Sequence, residues 1–417
     1  MLRDWPRWRL RTAVTCAVAV AAVVVTAGCS SGAATPSTAP TAASLSPSAV
    51  PSAPEPSGQA PATAGPAPDA PYGACVARVF GRMSEAQRVG QLFLVGVYGD
   101  VAGPQMTAAL HEYHFGSMLL WQTSEGVKAL APATAHMQSL AAINGGVRFF
   151  IAANQEGGNV QHLTGPGFAT MPAAVTQGTW TTSALRSAAA GWGRELRAAG
   201  VNFDLAPVMD VVPAGTEGSN APIGALGRQF GSTPSGNGVH GAAFIAGMAS
   251  AGVSTAAKHF PGLGRVSGNT DFTSDVVDSV TTPSDPYLGS FRAAVAAGVP
   301  FVMVALATYT KIDASELAVF SPKVMRLLRS EIGFRGVIMS DDIGDATAVQ
   351  STPTASRAIA FLSAGGDLIT SQSLPPAETM AAAVLAKASA SPSFRAVVDA
   401  DAQRILAAKQ ARGLLSC

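Results

Sequence analysis

From Cys75 onward the chain repeats one unit, an apolar run of strand length followed by a longer stretch whose apolar residues recur at helical spacing. The runs fall at residues 92–97, 117–121, 148–153, 202–208, 253–258, 300–305, 336–340 and 367–370. Helix-like stretches such as 183–199, 290–297, 321–332 and 354–364 lie between them. A strand that is apolar throughout has to be covered on both faces, and helices alternating with parallel strands supply that cover. Eight such strands in one region predict an α/β fold, a single (β/α)8 TIM-type barrel over residues 73–417, rather than a doubly wound sheet. No glycine-rich dinucleotide fingerprint follows the first run, which weighs against the doubly wound alternative.

In such a barrel the chemistry sits at the C-terminal ends of the strands. Those ends carry Trp121 after the second run and Asn154-Gln155-Glu156 after the third. Asp210 follows the fourth, Lys258-His259 the fifth and Asp341-Asp342 the seventh. Lys and His at the mouth of a buried strand are costly to place unless something anionic or richly hydroxylated binds there. Taken alone, Lys258-His259 also reads as a strand end with solvated polar groups. Carboxylates, amides, a lysine, a histidine and an aromatic gathered on one mouth favour a polar, hydroxyl-rich ligand. Adjacent strand residues point to opposite sides, so one of Asp341 and Asp342 faces the centre and the other caps the next helix or binds a loop.

The first 72 residues have a different character. Arg3, Arg7, Arg9 and Arg11 precede a short apolar stretch that ends Thr26-Ala27-Gly28-Cys29. That length suits a signal peptide better than a membrane span. Small residues leading to a cysteine resemble the bacterial lipobox, so residues 1–28 are expected to be a lipoprotein signal peptide with Cys29 lipidated; a plain secretory peptide is the alternative. Residues 29–72 are rich in Ala, Pro and Ser and nearly free of bulky apolar side chains. Such a segment buries too little surface to offset its ordering entropy and is expected to be a disordered tether. Anchor and tether together place the rest of the chain on the outer face of the cell membrane. With Cys16 removed and Cys29 lipidated, Cys75 and Cys417 remain, and in an oxidising compartment they are expected to form a disulfide, two buried thiols being the alternative.

Charged residues make up 13% of the chain and the formal net charge is +1. There is no basic excess to attract nucleic acid, and the expected contacts are the polar, hydroxyl-rich ligand of the barrel mouth and a membrane reached only through the lipid anchor. The histidines are scattered and no clustered acidic motif appears, so neither metal nor cofactor is expected.

Two motifs carry a family resemblance. Lys258-His259-Phe260-Pro261-Gly262-Leu263-Gly264 and Gly336-Val337-Ile338-Met339-Ser340-Asp341-Asp342 together resemble the barrel domain of family 3 glycoside hydrolases. The likeness is to the single-domain bacterial β-N-acetylglucosaminidases of cell-wall recycling. It extends to Gln155-Glu156-Gly157-Gly158, to the segment from Asn202 to Asp210, to Gly227-Arg228-Gln229-Phe230-Gly231 and to Ile332-Gly333-Phe334-Arg335-Gly336-Val337. The resemblance implies that Asp341 is a retaining nucleophile, a role a carboxylate suits because it both attacks C1 and stabilises an oxocarbenium-like transition state. It implies that Lys258, His259 and Arg228 hold sugar hydroxyls, and that Asp210 orients the Lys-His pair or binds a hydroxyl itself.

Three departures from the family pattern stand out. Asn154 replaces an Asp that grips two hydroxyls, and His162 replaces an Arg. In the loop after the fifth strand, Leu263 replaces a His and Asn269-Thr270-Asp271 falls on the Asp-Ser-His triplet whose His is the general acid/base. Asp271 is therefore the candidate acid/base, and it needs a raised pKa from burial or from the nearby nucleophile. Asn154 and His162 remain candidate substrate contacts. The expected function is exo-β-N-acetylglucosaminidase action on cell-wall fragments. A β-glucosidase of the same family, or a sugar-binding lipoprotein that has lost its acid/base, are the alternatives.

Overall fold

The structure, a computed structural model, describes residues 72–98 and 103–417. The expected signal peptide, the Cys29 anchor and residues 29–71 lie outside the described residues.

Eight parallel strands close into a barrel. In chain order they are β1 (Phe93–Val97), β2 (Ser117–Leu120), β3 (Phe150–Ala153), β4 (Phe203–Asp204), β5 (Ser254–Phe260), β6 (Phe301–Val304), β7 (Val337–Asp342) and β8 (Leu368–Ser371). Each pairs with its neighbours in sequence and β8 closes on β1, where Phe93 lies opposite Ile369 and Val95 opposite Ser371. This is the (β/α)8 barrel that the alternating apolar runs predict. The strands are buried along their length because helices such as Pro104–Tyr113, Thr182–Ala198 and Pro234–Ser250 cover them from outside.

The barrel interior is filled by side chains. Phe150 on β3 meets Phe301 on β6 edge-on at 5.4 Å, and Phe203 on β4 lies 4.3 Å from Phe301, ring centre to ring centre. Rings from non-adjacent strands meet only through the interior, so these form a packed layer. Below it the C-terminal helix Pro392–Gln410 inserts Lys409, fully buried, whose Nζ donates to Gln91 Oε1 and the Gly116 carbonyl, each at 2.7 Å.

Two expected elements differ in detail. The fourth strand, expected over 202–208, is regular only at Phe203–Asp204. Beyond it Pro207 lacks an N–H, and the chain continues along β5 through single bonds from Ala256 N–H to the Ala206 carbonyl and from Lys258 N–H to the Pro207 carbonyl. The helix expected over 321–332 runs as Pro322–Arg326 followed by a wider turn at Leu327–Glu331.

The two ends of the described domain meet at one side. Cys75, in the helix Gly73–Arg82, is disulfide-bonded to Cys417, their Cα atoms 5.6 Å apart. Val76, Met83, Val147 and Leu406 make a small separate core beneath the bond.

Candidate active site

The strand ends converge on the mouth in a definite order. After β3 the chain forms a tight hairpin, Gln155–Gly157 against Val160–Gln161. Its turn needs Gly157 and Gly158, which hold φ of 100° and 57°. The hairpin is pinned from below, because Gln155 accepts from Leu163 N–H at 3.0 Å and donates to the Leu163 carbonyl at 2.8 Å. This places Asn154, Glu156 and His162 side by side at the rim.

Glu156 is the hub of the mouth. It is buried, and its carboxylate takes two hydrogen bonds from Arg228, at 2.8 and 2.7 Å, and an ion pair from Lys258 at 2.7 Å. Burial works against its charge, but Arg228 and Lys258 outweigh burial and hold the carboxyl well below the usual range. Lys258 Nζ also donates to Asn154 Oδ1 at 2.9 Å. Arg228 donates in addition to the Pro222 carbonyl at 2.9 Å. The two cations are thereby fixed in place, and one carboxylate offsets part of their charge before any ligand arrives.

Asp210 does for His259 what Glu156 does for Lys258. It is fully buried, and its Oδ2 accepts from His259 Nδ1 at 2.7 Å. Its Oδ1 accepts the N–H groups of His259, at 3.1 Å, and Leu263, at 2.7 Å. With Nδ1 occupied, Nε2 is the nitrogen left to a ligand. Of the two roles open to Asp210 from sequence, the structure shows an orienting contact. The turn beyond is tight: a Cβ on Gly264 would meet the Val211 carbonyl oxygen at 2.0 Å, and Asn220 donates to the Leu263 and Val266 carbonyls, each at 2.7 Å.

The two aspartates at the end of β7 divide as alternation requires. Asp342 is buried and accepts from the N–H groups of Gly344 and Gln372, each at 3.0 Å, so it binds the following loop and the end of β8. Burial pushes its carboxyl up to about 7 despite the Gln372 bond. Asp341 is half-buried and, among the described residues, accepts only from its neighbour's N–H, at 2.8 Å. Asp271 stands at the open rim, exposed at the tip of its loop. Desolvation of its carboxyl first, and the Asp341 charge second, raise it above its ordinary value; Arg228, His259 and Lys258 pull the other way. Asp271, Asp341, Lys258, His259 and Arg228 therefore share one electrostatic environment.

His162 also belongs to the mouth. Burial and then Lys258 lower its imidazole to about 4, so it is neutral at pH 7. Its ring lies 5.5 Å from Trp121, which lies 4.8 Å from Tyr98. Its Nδ1 is buried with no partner among the described residues. The three rings line the rim from the end of β1 to the end of β3.

The arrangement places two carboxyl groups in unequal surroundings beside fixed cations able to bind hydroxyls, the elements of acid-assisted cleavage at an acetal carbon. Sequence reasoning quoted Glu156 within a motif without giving it a role. The available signal was a carboxylate directly after an apolar strand, in a position that would be buried and would need a cation. Among the described residues no group of His, Cys, Asp and Glu is arranged to hold a metal ion.

Comparison with known proteins agrees with this geometry. Residues 86–408 match the glycosyl hydrolase family 3 N terminal domain. A beta-hexosaminidase of Methylococcus capsulatus is 32% identical over 307 residues, covering 70% of this chain and 87% of the relative. The beta-hexosaminidase LpqI of Mycobacterium tuberculosis is 31% identical over 309 residues, covering 70% and 75%. Among solved structures, a beta-N-acetylhexosaminidase from Beutenbergia cavernae superposes with a TM-score of 0.76 at 44% identity, covering 79% of this chain and 99% of that one.

Proposed function

Because the chain belongs to glycosyl hydrolase family 3, we propose that it is a retaining exo-β-N-acetylhexosaminidase that removes terminal N-acetylglucosamine from cell-wall fragments. The observation that carries this reading is the unequal carboxyl pair, in which the charge of half-buried Asp341 helps raise the carboxyl of Asp271. A carboxyl placed to attack, beside a second whose acid form is favoured by its surroundings, is what the retaining reaction needs.

In this reading Asp341 attacks C1 of the terminal sugar as Asp271 gives its proton to the departing glycosidic oxygen. The C1–O bond breaks and an ester to Asp341 forms. Asp271, now a carboxylate, takes a proton from water; the water oxygen bonds to C1 and Asp341 leaves. Lys258 and His259 Nε2 hold hydroxyls of the terminal sugar, with Glu156 pairing Lys258 and Asp210 orienting the His259 ring. Arg228 assists from the same carboxylate, and Asn154 and neutral His162 complete the sugar-binding wall. Asn269 need not mark a lost acid, since its Oδ1 accepts from Asp271 N–H at 3.0 Å and shapes the turn that presents Asp271.

Aryl β-N-acetylglucosaminide and aryl β-glucoside offered side by side, with Asp341→Asn as control, test the proposal. We expect turnover of the first only, lost in the control. Turnover of the glucoside alone would make the chain a β-glucosidase, and turnover of neither would leave a binding protein. We further propose that Cys29 anchors the chain by lipid to the outer face of the membrane. Cys29→Ser should then move the activity from the membrane fraction to the medium.

A further inference from the structure

The loop that carries Asp271 leaves the barrel beyond Gly264 and regains regular pairing at Val277–Asp278, which lies against Thr308–Tyr309. Residues 271–275 between these points are exposed. Inside the loop, Asp271 N–H donates to Asn269 Oδ1 at 3.0 Å and Phe272 N–H donates to the Asn269 carbonyl at 3.1 Å. Among the described residues, the hydrogen bonds that reach residues 268–275 from another segment come from Thr347 and Ala348. Thr347 donates twice to the Asp271 carbonyl, from its N–H at 3.1 Å and from Oγ1 at 2.9 Å. Ala348 N–H donates to the Thr270 carbonyl at 3.1 Å.

Thr347 opens the short turn Thr347–Val349, on the segment that continues from Asp341 and Asp342. That segment is firmly held. Asp342 accepts from Gly344 N–H, and the buried Arg357 guanidinium donates to the Ile343 carbonyl at 3.1 Å and the Gly344 carbonyl at 2.7 Å. One side of the contact is therefore a braced extension of the nucleophile strand. The other is an exposed loop with little else to fix it.

We propose that Thr347 is a positioning residue for the proton donor: through its hydroxyl and N–H it ties the Asp271 backbone to the strand that carries Asp341. A general acid works only within hydrogen-bond reach of the leaving oxygen, and small displacements of a reacting group are costly in rate. Thr347 does not touch substrate. It sets where Asp271 stands relative to the anomeric carbon, while the N–H bonds of Thr347 and Ala348 keep the loop docked when the hydroxyl is absent. The inference rests on the reading of Asp271 as acid/base.

The test compares wild type, Thr347→Val, Thr347→Ser and Asp271→Asn on two substrates. One is a dinitrophenyl β-N-acetylglucosaminide, whose leaving group needs no proton; the other is an N-acetylglucosamine disaccharide, which does. Thr347→Val keeps the branched shape and loses the donor, so kcat/KM on the disaccharide should fall about fivefold and on the aryl glycoside less than twofold. Thr347→Ser should restore the disaccharide rate. If Asp271→Asn shows the leaving-group split and Thr347→Val does not, the positioning role is wrong and the acid assignment stands. If Asp271→Asn slows both substrates equally, the acid assignment fails and the inference falls with it.

Discussion

Asp271 and Asp341 owe their proposed roles to the field each sees. The Asp271 carboxyl is raised by desolvation and by the Asp341 charge, so the acid form persists above its ordinary pKa. Its proton is needed for leaving-group departure, so the rate falls as pH rises through that raised pKa. The alkaline limb of kcat/KM on a poor leaving group should therefore lie above the ordinary carboxylate range. In Asp341→Asn the raising charge is gone, and a carboxyl-carbon NMR titration should find Asp271 at a lower pKa than in wild type; an unchanged value would sever the proposed coupling. Glu156 supports a different prediction. Replacing it by Gln leaves Lys258 and Arg228 buried and like-charged around a neutral amide. Loss of one partner from a buried ion cluster costs about 3–5 kcal/mol, so Glu156→Gln should lower the denaturant midpoint and raise KM together. Lys258, His259 and Asp341 are legible in the sequence as candidates because polar residues ending apolar strands are costly without a use. Glu156 was not given a role, since its partners come from segments far apart in the chain and their meeting cannot be read from local sequence.

At the level of elements, the strand runs could be read because burial on both faces writes itself as uninterrupted apolar sequence. The fourth strand is shorter than its sequence implies because its apolar residues continue past Asp204, where the regular ladder ends and single bonds to β5 take over. The turn after β5 is decided by space rather than pattern. Gly264 packs against the Val211 carbonyl so closely that a Cβ would sit 2.0 Å from the oxygen. Gly264→Ala must push that loop aside, at an overpacking cost of about 1–3 kcal/mol. Since Leu263 and His259 both bond Asp210 across this turn, the variant should lose sugar affinity as well as thermal stability. A variant less stable yet with unchanged KM would separate the turn from the hydroxyl-binding wall. The loop that follows shows the limit of local reading. Its alignment puts Asp271 at the acid/base position, but its attachment to Thr347 follows from the closeness of two loops on the finished barrel.

Over the whole molecule, two features tie the barrel shut away from the mouth. The Cys75–Cys417 bond closes the described domain end to end. For so long a loop the chain-entropy model gives at most about 5–6 kcal/mol. Cys75→Ser with Cys417→Ser should lower the denaturant midpoint measurably while kcat stays near wild type, because the bond lies apart from the mouth residues. Lys409 closes the floor, and burial lowers its ammonium from the ordinary lysine range to about 7. Between that value and the unfolded value the unfolded chain binds the extra proton, so stability should rise as pH increases from about 7 toward 10. Lys409→Met should flatten this rise in urea melts recorded across the window.

The number and order of the strands are legible in the linear chain, as are the strand ends on which the candidate site residues lie. These are encoded in contiguous stretches, where periodicity and strand-end polarity are local properties. The tertiary structure decided which charges neutralise one another, which aspartate of the β7 pair faces the mouth, and what fixes the Asp271 loop. Each of these depends on groups from separate strand ends that meet only in the folded barrel, where burial and neighbouring charge act on them.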